Sequence, residues 1–191
     1  MEARRYGPLH RFDPHTPPAG HPGLDPGGRT ILYVGRNLAT SASEVFGETG
    51  EARLCPNYRI ALLRPTSPLL FFDLTAEGAA LAIGGLPSLG DGSHPRALTQ
   101  AWARAVYEDD PTGSHLDGIR YRSAYNSGIS LALWDSQDRL AVVRDRAGNV
   151  QDHPLRSPAV YLRLLVAMRT RRITVTVVDS ADCASCGALP P

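Results

Sequence analysis

The sequence predicts an α+β fold: a single domain over residues 1–191, with a mixed, mostly antiparallel sheet and short peripheral helices. Three observations lead there. The 191 residues are enough to bury one substantial core without requiring a second. Short β-branched and apolar runs bounded by Gly, Pro and Asn recur along the chain and read as strands. Apolar residues at three- and four-residue intervals over residues 96–107 read as an amphipathic helix.

The elements follow in chain order. Residues 13–29 are rich in proline and glycine and predict an exposed loop able to cover a site as a flap. His10, His15 and His21 stand in and beside it at spacings that match no helix face or metal-ligand pattern; they read as surface histidines, and no metal site is expected. Residues 30–34 predict a buried strand bounded by Gly28 and Gly35, in which Tyr33 is the one aromatic residue and carries a polar tip. After the Gly35-Arg36-Asn37 turn, Ser41 and Glu44 have the spacing of a capping box, which predicts a helix starting at Ser41 with the Glu44 carboxylate engaged at its N-terminus.

Residues 58–63 and 69–73 read as strands joined by a proline-rich turn, a hairpin-like pair. Residues 75–83 predict a helix with Thr75 as N-cap and Gly84-Gly85 as stop, followed by a loop over 86–93. In the helix over 96–107 the inward residues are Leu98, Ala101, Trp102, Ala105 and Val106, and the carboxylates Glu108-Asp109-Asp110 beyond it are solvated. Residues 118–121 and 130–134 are strands flanking a loop over 123–128, whose small polar side chains suit close approach of a ligand. Residues 139–143 and 172–178 are further strands, and residues 159–168 a helix with Tyr161, Leu164, Leu165 and Met168 inward. The tail over 180–191 reads as flexible, and Cys183 and Cys186 form a lone CxxC without the second pair of a zinc ribbon.

Charge and composition exclude several functions. With 20 basic and 19 acidic residues the net charge is +1, so no global field recommends nucleic acid or an anionic membrane as partner. All 20 basic residues are arginine, which removes P-loop phosphate transfer, Schiff-base chemistry and lysine bases and leaves anion binding to arginine or backbone. No apolar targeting segment follows the first residues, and the longest apolar run is broken by Arg64, Pro65 and Pro68, so neither secretion nor a membrane span is expected. Three cysteines fit a reducing compartment, the cytoplasm.

Four short segments, in order, resemble the RES domain, a family named for an arginine, a glutamate and a serine. Leu9-His-Arg-Phe-Asp-Pro14 is similar to its opening strand and aligns Arg11 with its arginine. The strand bearing Tyr33 and the helix bearing Glu44 follow the family's order. Asp117-Gly-Ile-Arg-Tyr-Arg-Ser123, with Ile129-Ser-Leu-Ala-Leu-Trp134 after it, resembles its serine strand and aligns Ser123 with its serine. The resemblance covers about residues 9–143.

That resemblance implies a sheet split around an NAD cleft, an ADP-ribosyltransferase-like fold and an enzyme that consumes NAD, with NAD as substrate and no further cofactor. It also implies the toxin of a two-protein system with a helix-turn-helix antitoxin. Cleaving the nicotinamide–ribose bond passes through an oxocarbenium-like state that needs a carboxylate nearby, which Glu44 can supply. Arg11 offers a planar fork for the pyrophosphate, Tyr33 an aromatic wall, and Ser123 a hydroxyl to orient the substrate. Arg120 and Arg122, flanking the serine strand, are candidates for binding an inorganic phosphate acceptor, beside water or a protein side chain as alternative acceptors. Without the resemblance, Glu44 reads as a helix cap, Tyr33 as a core ring and Ser123 as a strand-ending hydroxyl bonded to the adjacent turn, in a domain that binds a protein partner and catalyses nothing.

Overall fold

The computed structural model describes residues 2–183. The fold is α+β, made of short helices and several small, mostly antiparallel sheets. The chain divides into two compact units, one formed by Met1–Arg36 with Pro65–Leu140 and the other by Asn37–Arg64 with Ala141–Pro191.

The first unit is built on a four-stranded sheet in the order Ile31–Gly35, Ile129–Trp134, Gly118–Arg122, Phe71–Asp73. The first three strands pair antiparallel; Phe71–Asp73 runs parallel to Gly118–Arg122. Their registers place Tyr33 and Ile119 on either side of Ala132, and Gly35 and Tyr121 on either side of Ser130. Because successive strand residues point to opposite faces, one face collects Ile31, Tyr33, Phe72, Ile119, Tyr121, Ala132 and Trp134, which join Phe12, Leu116, Ala103 and Val106 in the core. Arg120 and Arg122 fall on the other face.

The helix Arg96–Asp109 covers that core, but its buried residues are Thr99, Gln100, Ala103 and Val106, while Leu98 and Ala101 are exposed and Trp102 is half-buried. The inward face is therefore rotated from the one the apolar spacing predicts. Gln100 accounts for the difference, since its amide donates to the His10 carbonyl at 3.1 Å and draws a polar position inside. The helix expected over 75–83 contracts to Ala79–Ala82. Asp73 accepts both the Thr75 N–H at 2.9 Å and the Thr75 hydroxyl at 2.6 Å, so Thr75 closes a local turn and does not cap the helix.

The proline- and glycine-rich segment over 13–29 is fastened down along its length. Gly23–Leu24 pairs with Tyr6–Gly7. Buried Asp25 accepts the Thr16 N–H and hydroxyl at 2.6 and 2.8 Å and the Gly27 N–H at 2.9 Å. Arg104 donates to the carbonyls of His15 and Pro17. Its composition suits turns, and short polar side chains then supply the backbone partners that a sheet would otherwise provide.

The second unit packs the helices Leu38–Phe46 and Pro158–Arg169 with a parallel pair of strands, Glu51–Leu54 and Thr174–Val177. Its core is Ala42, Phe46, Ala52, Leu54, Leu155, Leu164, Met168 and Ile173. Arg59–Ala61 pairs antiparallel with Asp152–Pro154, not with Phe71–Asp73, so the predicted hairpin is replaced by two long-range pairings. Of the expected flexible tail, Ser180–Asp182 form a short 3-10 turn and Cys183 is buried; Cys186 lies outside the described residues.

Gly118 opens the serine strand at φ +148°, and a Cβ there would lie 1.9 Å from the Ala132 carbonyl oxygen of the adjacent strand. Only glycine fits that approach. Gly118→Ala is expected to destabilise the protein by about 3 kcal/mol, from strain plus a displaced strand, read as a lower denaturant midpoint. A midpoint unchanged from that of the parent chain would show that the sheet absorbs the methyl.

Candidate functional site

Arg11 sits in a turn, not in the strand its flanking sequence resembles. The Asp13 N–H closes the turn on the His10 carbonyl at 3.3 Å, and the Asp13 side chain folds back over it. Its Oδ2 accepts the N–H groups of Leu9 at 2.5 Å and His10 at 3.1 Å, together with Arg4 Nη2 at 2.7 Å. A carboxylate that takes the backbone donors of a segment competes with any sheet ladder, which is why a turn forms here. The other oxygen, Oδ1, accepts the Tyr33 hydroxyl at 2.7 Å. That hydroxyl in turn accepts the Phe12 N–H at 3.1 Å, and Trp134 Nε1 donates to the Phe12 carbonyl at 3.1 Å.

Arg11 is thereby held over the core face of the sheet. Its guanidinium lies 4.9 Å from the ring centre of Phe12 and 5.2 Å from that of Tyr121, a cation–π arrangement. Nη2 donates to the Gly90 carbonyl at 3.3 Å, and Nε is buried without a hydrogen-bond partner among the described residues. Gly92, at φ +90°, brings the loop over 86–93 against this group: a Cβ there would lie 2.4 Å from Arg11 Nη1 and 2.5 Å from the Cβ of Ala124.

Ser123 follows the strand that carries Tyr121, on the Tyr121 side by alternation. It is 2% exposed, its Oγ accepts the Tyr125 N–H at 3.3 Å, and its N–H and carbonyl bond Gly128 and Ser127. Arg11, Tyr33 and Ser123 thus share one face of the first unit. Arg120 and Arg122 do not share it. Arg120 pairs with Asp73 at 3.0 Å on the opposite face, and Arg122 lines a surface cavity of about 500 Å³ with Leu74, Ala80, Pro87 and Asp91.

Glu44 belongs to the second unit. Its helix runs Leu38–Phe46 and is capped by Asn37, whose side chain accepts the Thr40 N–H at 2.9 Å. The capping box expected at Ser41 is absent because Asn37, a residue that suits both turn and N-cap, starts the helix earlier. Ser41 and Glu44 lie inside the helix, and Glu44 has no capping role. Its side chain is half-buried, with Oε1 buried and without a hydrogen-bond partner among the described residues.

Two residues that matter here escape the sequence reading. Asp13 is fully buried, and the signal for it was an Asp-Pro pair two residues after Arg11, a pattern typical of side chains that close turns on their own backbone. His15, expected at the surface with His10 and His21, is fully buried with Nδ1 3.9 Å from Asp13 Oδ2. Those other two are exposed, and the His10 ring meets Tyr33 edge-on at 5.6 Å.

A model of the RES domain matches residues 1–156 of the 191-residue chain. No curated protein and no solved structure matches it.

The buried groups make stability depend on pH in a definite direction. Burial lowers the His15 pKa from its ordinary 6.5, outweighing the nearby Asp13 charge. Burial works against ionisation of Asp13, but the Arg4 charge and the hydrogen bonds from Leu9, Arg4 and Tyr33 hold its pKa below 3.8. Both folded values are depressed, so each contribution is complete above the ordinary value and is lost as pH falls through the folded one. The melting temperature should decline first below pH 6.5 and again below pH 3.8, where Asp25 adds to the loss. His15→Gln should flatten the first decline; an equally steep decline in that variant would assign it to another group.

Proposed function

The chain belongs to the RES domain family, and from that premise we propose that it consumes NAD, breaking the bond between nicotinamide and ribose and passing ADP-ribose to water or inorganic phosphate. The observation that carries this reading is Glu44. Asn37 caps the helix, so Glu44 is not its cap, and Glu44 Oε1 is buried without a hydrogen-bond partner among the described residues. A nearby carboxylate is what an oxocarbenium-like ribose requires as nicotinamide leaves.

The family resemblance assigns binding to Arg11, Tyr33 and Ser123. Arg11, spread flat against Phe12 and Tyr121, offers a pyrophosphate oxygen the charge and the directed N–H donors of its guanidinium fork. Tyr33 contributes its ring, because its hydroxyl is already committed to Asp13 and Phe12; the ring face is suited to stack on nicotinamide. Ser123 orients the ribose through a hydroxyl whose position is fixed by its turn. Arg120 is engaged by Asp73, so a phosphate acceptor, if used, draws on Arg11 or Arg122. The biological role that goes with this chemistry is that of a toxin restrained by a helix-turn-helix antitoxin.

The purified protein should release nicotinamide from NAD, with added phosphate dividing the product between ADP-ribose and its phosphorylated form. Glu44→Gln removes the charge and keeps the side chain's shape, and should lower kcat about 10²-fold or more while the melting temperature stays near that of the parent. An intact NAD pool in cells making folded protein without an antitoxin would overturn the enzymatic reading. Full activity in Glu44→Gln would remove Glu44 from it.

A further inference from the structure

The strongest unassigned feature is the carboxylate of Asp13. It has no exposed surface, so it touches no substrate, yet its two oxygens hold the two parts of the arginine–tyrosine face together. Oδ2 takes the N–H groups of Leu9 and His10, the residues that lead into Arg11. Oδ1 takes the hydroxyl of Tyr33, on the neighbouring strand. We infer that Asp13 is a positioning residue for the proposed reaction, fixing the backbone that carries Arg11 relative to Tyr33 through one rigid, charged hub. The inference rests on the functional reading above for its kinetic consequence, and on geometry alone for the hub.

The geometry distinguishes a hub from an ordinary buried ion pair. Arg4 at 2.7 Å meets one acceptor site, and a carboxylate with no exposed surface needs the others met as well. Asp13 meets them with the N–H groups that lead into Arg11 and with the one polar atom of the Tyr33 side chain. The Tyr33 hydroxyl closes the circuit by accepting from Phe12, so the residues on both sides of Arg11 are tied to the same two side chains. Tyr33 is held neutral in this setting: burial raises its pKa well above 10.0, and the Asp13 charge raises it further. The hydroxyl therefore remains a donor to Asp13 over the working pH range, and the tip of the ring is held in place. A displacement of reacting groups by about 1 Å costs on the order of 10²-fold in rate, so a loosened hub is read in catalysis before it is read in folding.

The test uses three variants of the full chain, Asp13→Asn, Tyr33→Phe and the double substitution, each checked for folding by its melting curve. Two NMR signals are followed at neutral pH, the ring carbon bearing the Tyr33 hydroxyl, identified by its loss in Tyr33→Phe, and the Nε–H of Arg11. Asp13→Asn should move both. Kinetically, each single substitution should lower kcat/KM for NAD about tenfold, and the double no further than the larger single, because both break one tether. Tyr33→Phe carries the kinetic arm if Asp13→Asn does not fold, since it removes only an oxygen assigned no contact with substrate. An unmoved Arg11 signal in Asp13→Asn, parental kinetics in Tyr33→Phe, or independent, multiplying losses in the double variant would each overturn the proposal. Should the parent chain release no nicotinamide, the functional reading fails, and the two NMR signals alone decide whether the hub holds Arg11 to Tyr33.

Discussion

Burying an ionised carboxylate is unfavourable unless every lone pair is met and an opposite charge is near. Asp13 satisfies that condition with a guanidinium, two backbone N–H groups and a phenol, and the shape of the N-terminal segment follows from it. The chain from Leu9 to Asp13 must curl to bring its donors to the side chain, so it cannot lie as a strand. Phe12 then points into the core and packs on Tyr121 at 4.6 Å, while Arg11, one residue earlier, is laid across the same rings. One buried charge thus fixes an aromatic floor and the cation above it.

The sheet sorts the remaining polar residues. Strand alternation commits Tyr33 and Tyr121 to the helix-covered face and sends Arg120 and Arg122 to the other, whatever the sequence distance between them. Arginines separated by one tyrosine look equivalent to Arg11 when only the sequence is read. In the fold, one of them is neutralised by Asp73 and the other belongs to a surface cavity. On the Tyr33 face stands Arg11, flanked by Phe12, Tyr121 and the glycine at position 92 that lets the loop close on it.

Local signals in the sequence translated well into elements, and long-range ones did not. The strands Ile31–Gly35, Gly118–Arg122 and Ile129–Trp134 and the helices Arg96–Asp109 and Pro158–Arg169 were legible because their apolar periodicity is strong and their ends carry turn residues. Glu51–Leu54 and Asp152–Pro154 were not, being short and defined by partners far along the chain, Thr174–Val177 and Arg59–Ala61. Side-chain competition for backbone groups explains most of the shifted boundaries: Asn37 starts a helix that Ser41 was expected to start, and Asp73 delays one that Thr75 was expected to cap. At the candidate site, the residues proposed for function carried a sequence pattern, and the burial of the groups that hold them did not. Arg11, Tyr33 and Ser123 stood out by pattern, whereas Asp13 and His15 owe their importance to burial, which no local pattern reports.

The exclusive use of arginine is a compositional bias as far as counts go, but position by position the fold separates incidental arginines from required ones. Arg11 lies flat on two aromatic rings, which a planar, weakly hydrated guanidinium does well and a compact ammonium does poorly. Arg29 combines three tasks, stacking 4.6 Å over Tyr107, donating to the Pro14 carbonyl at 2.7 Å and pairing with Glu108 at 2.7 Å. Arg104 spreads its donors over the carbonyls of His15 and Pro17. These last two pin the proline- and glycine-rich segment against the long helix, using several fixed donors on one side chain where backbone partners are scarce. A lysine at any of the three would supply the charge without the geometry. The planar fork proposed to face a pyrophosphate at Arg11 is therefore the same group that, at Arg29 and Arg104, holds the proline- and glycine-rich segment in place.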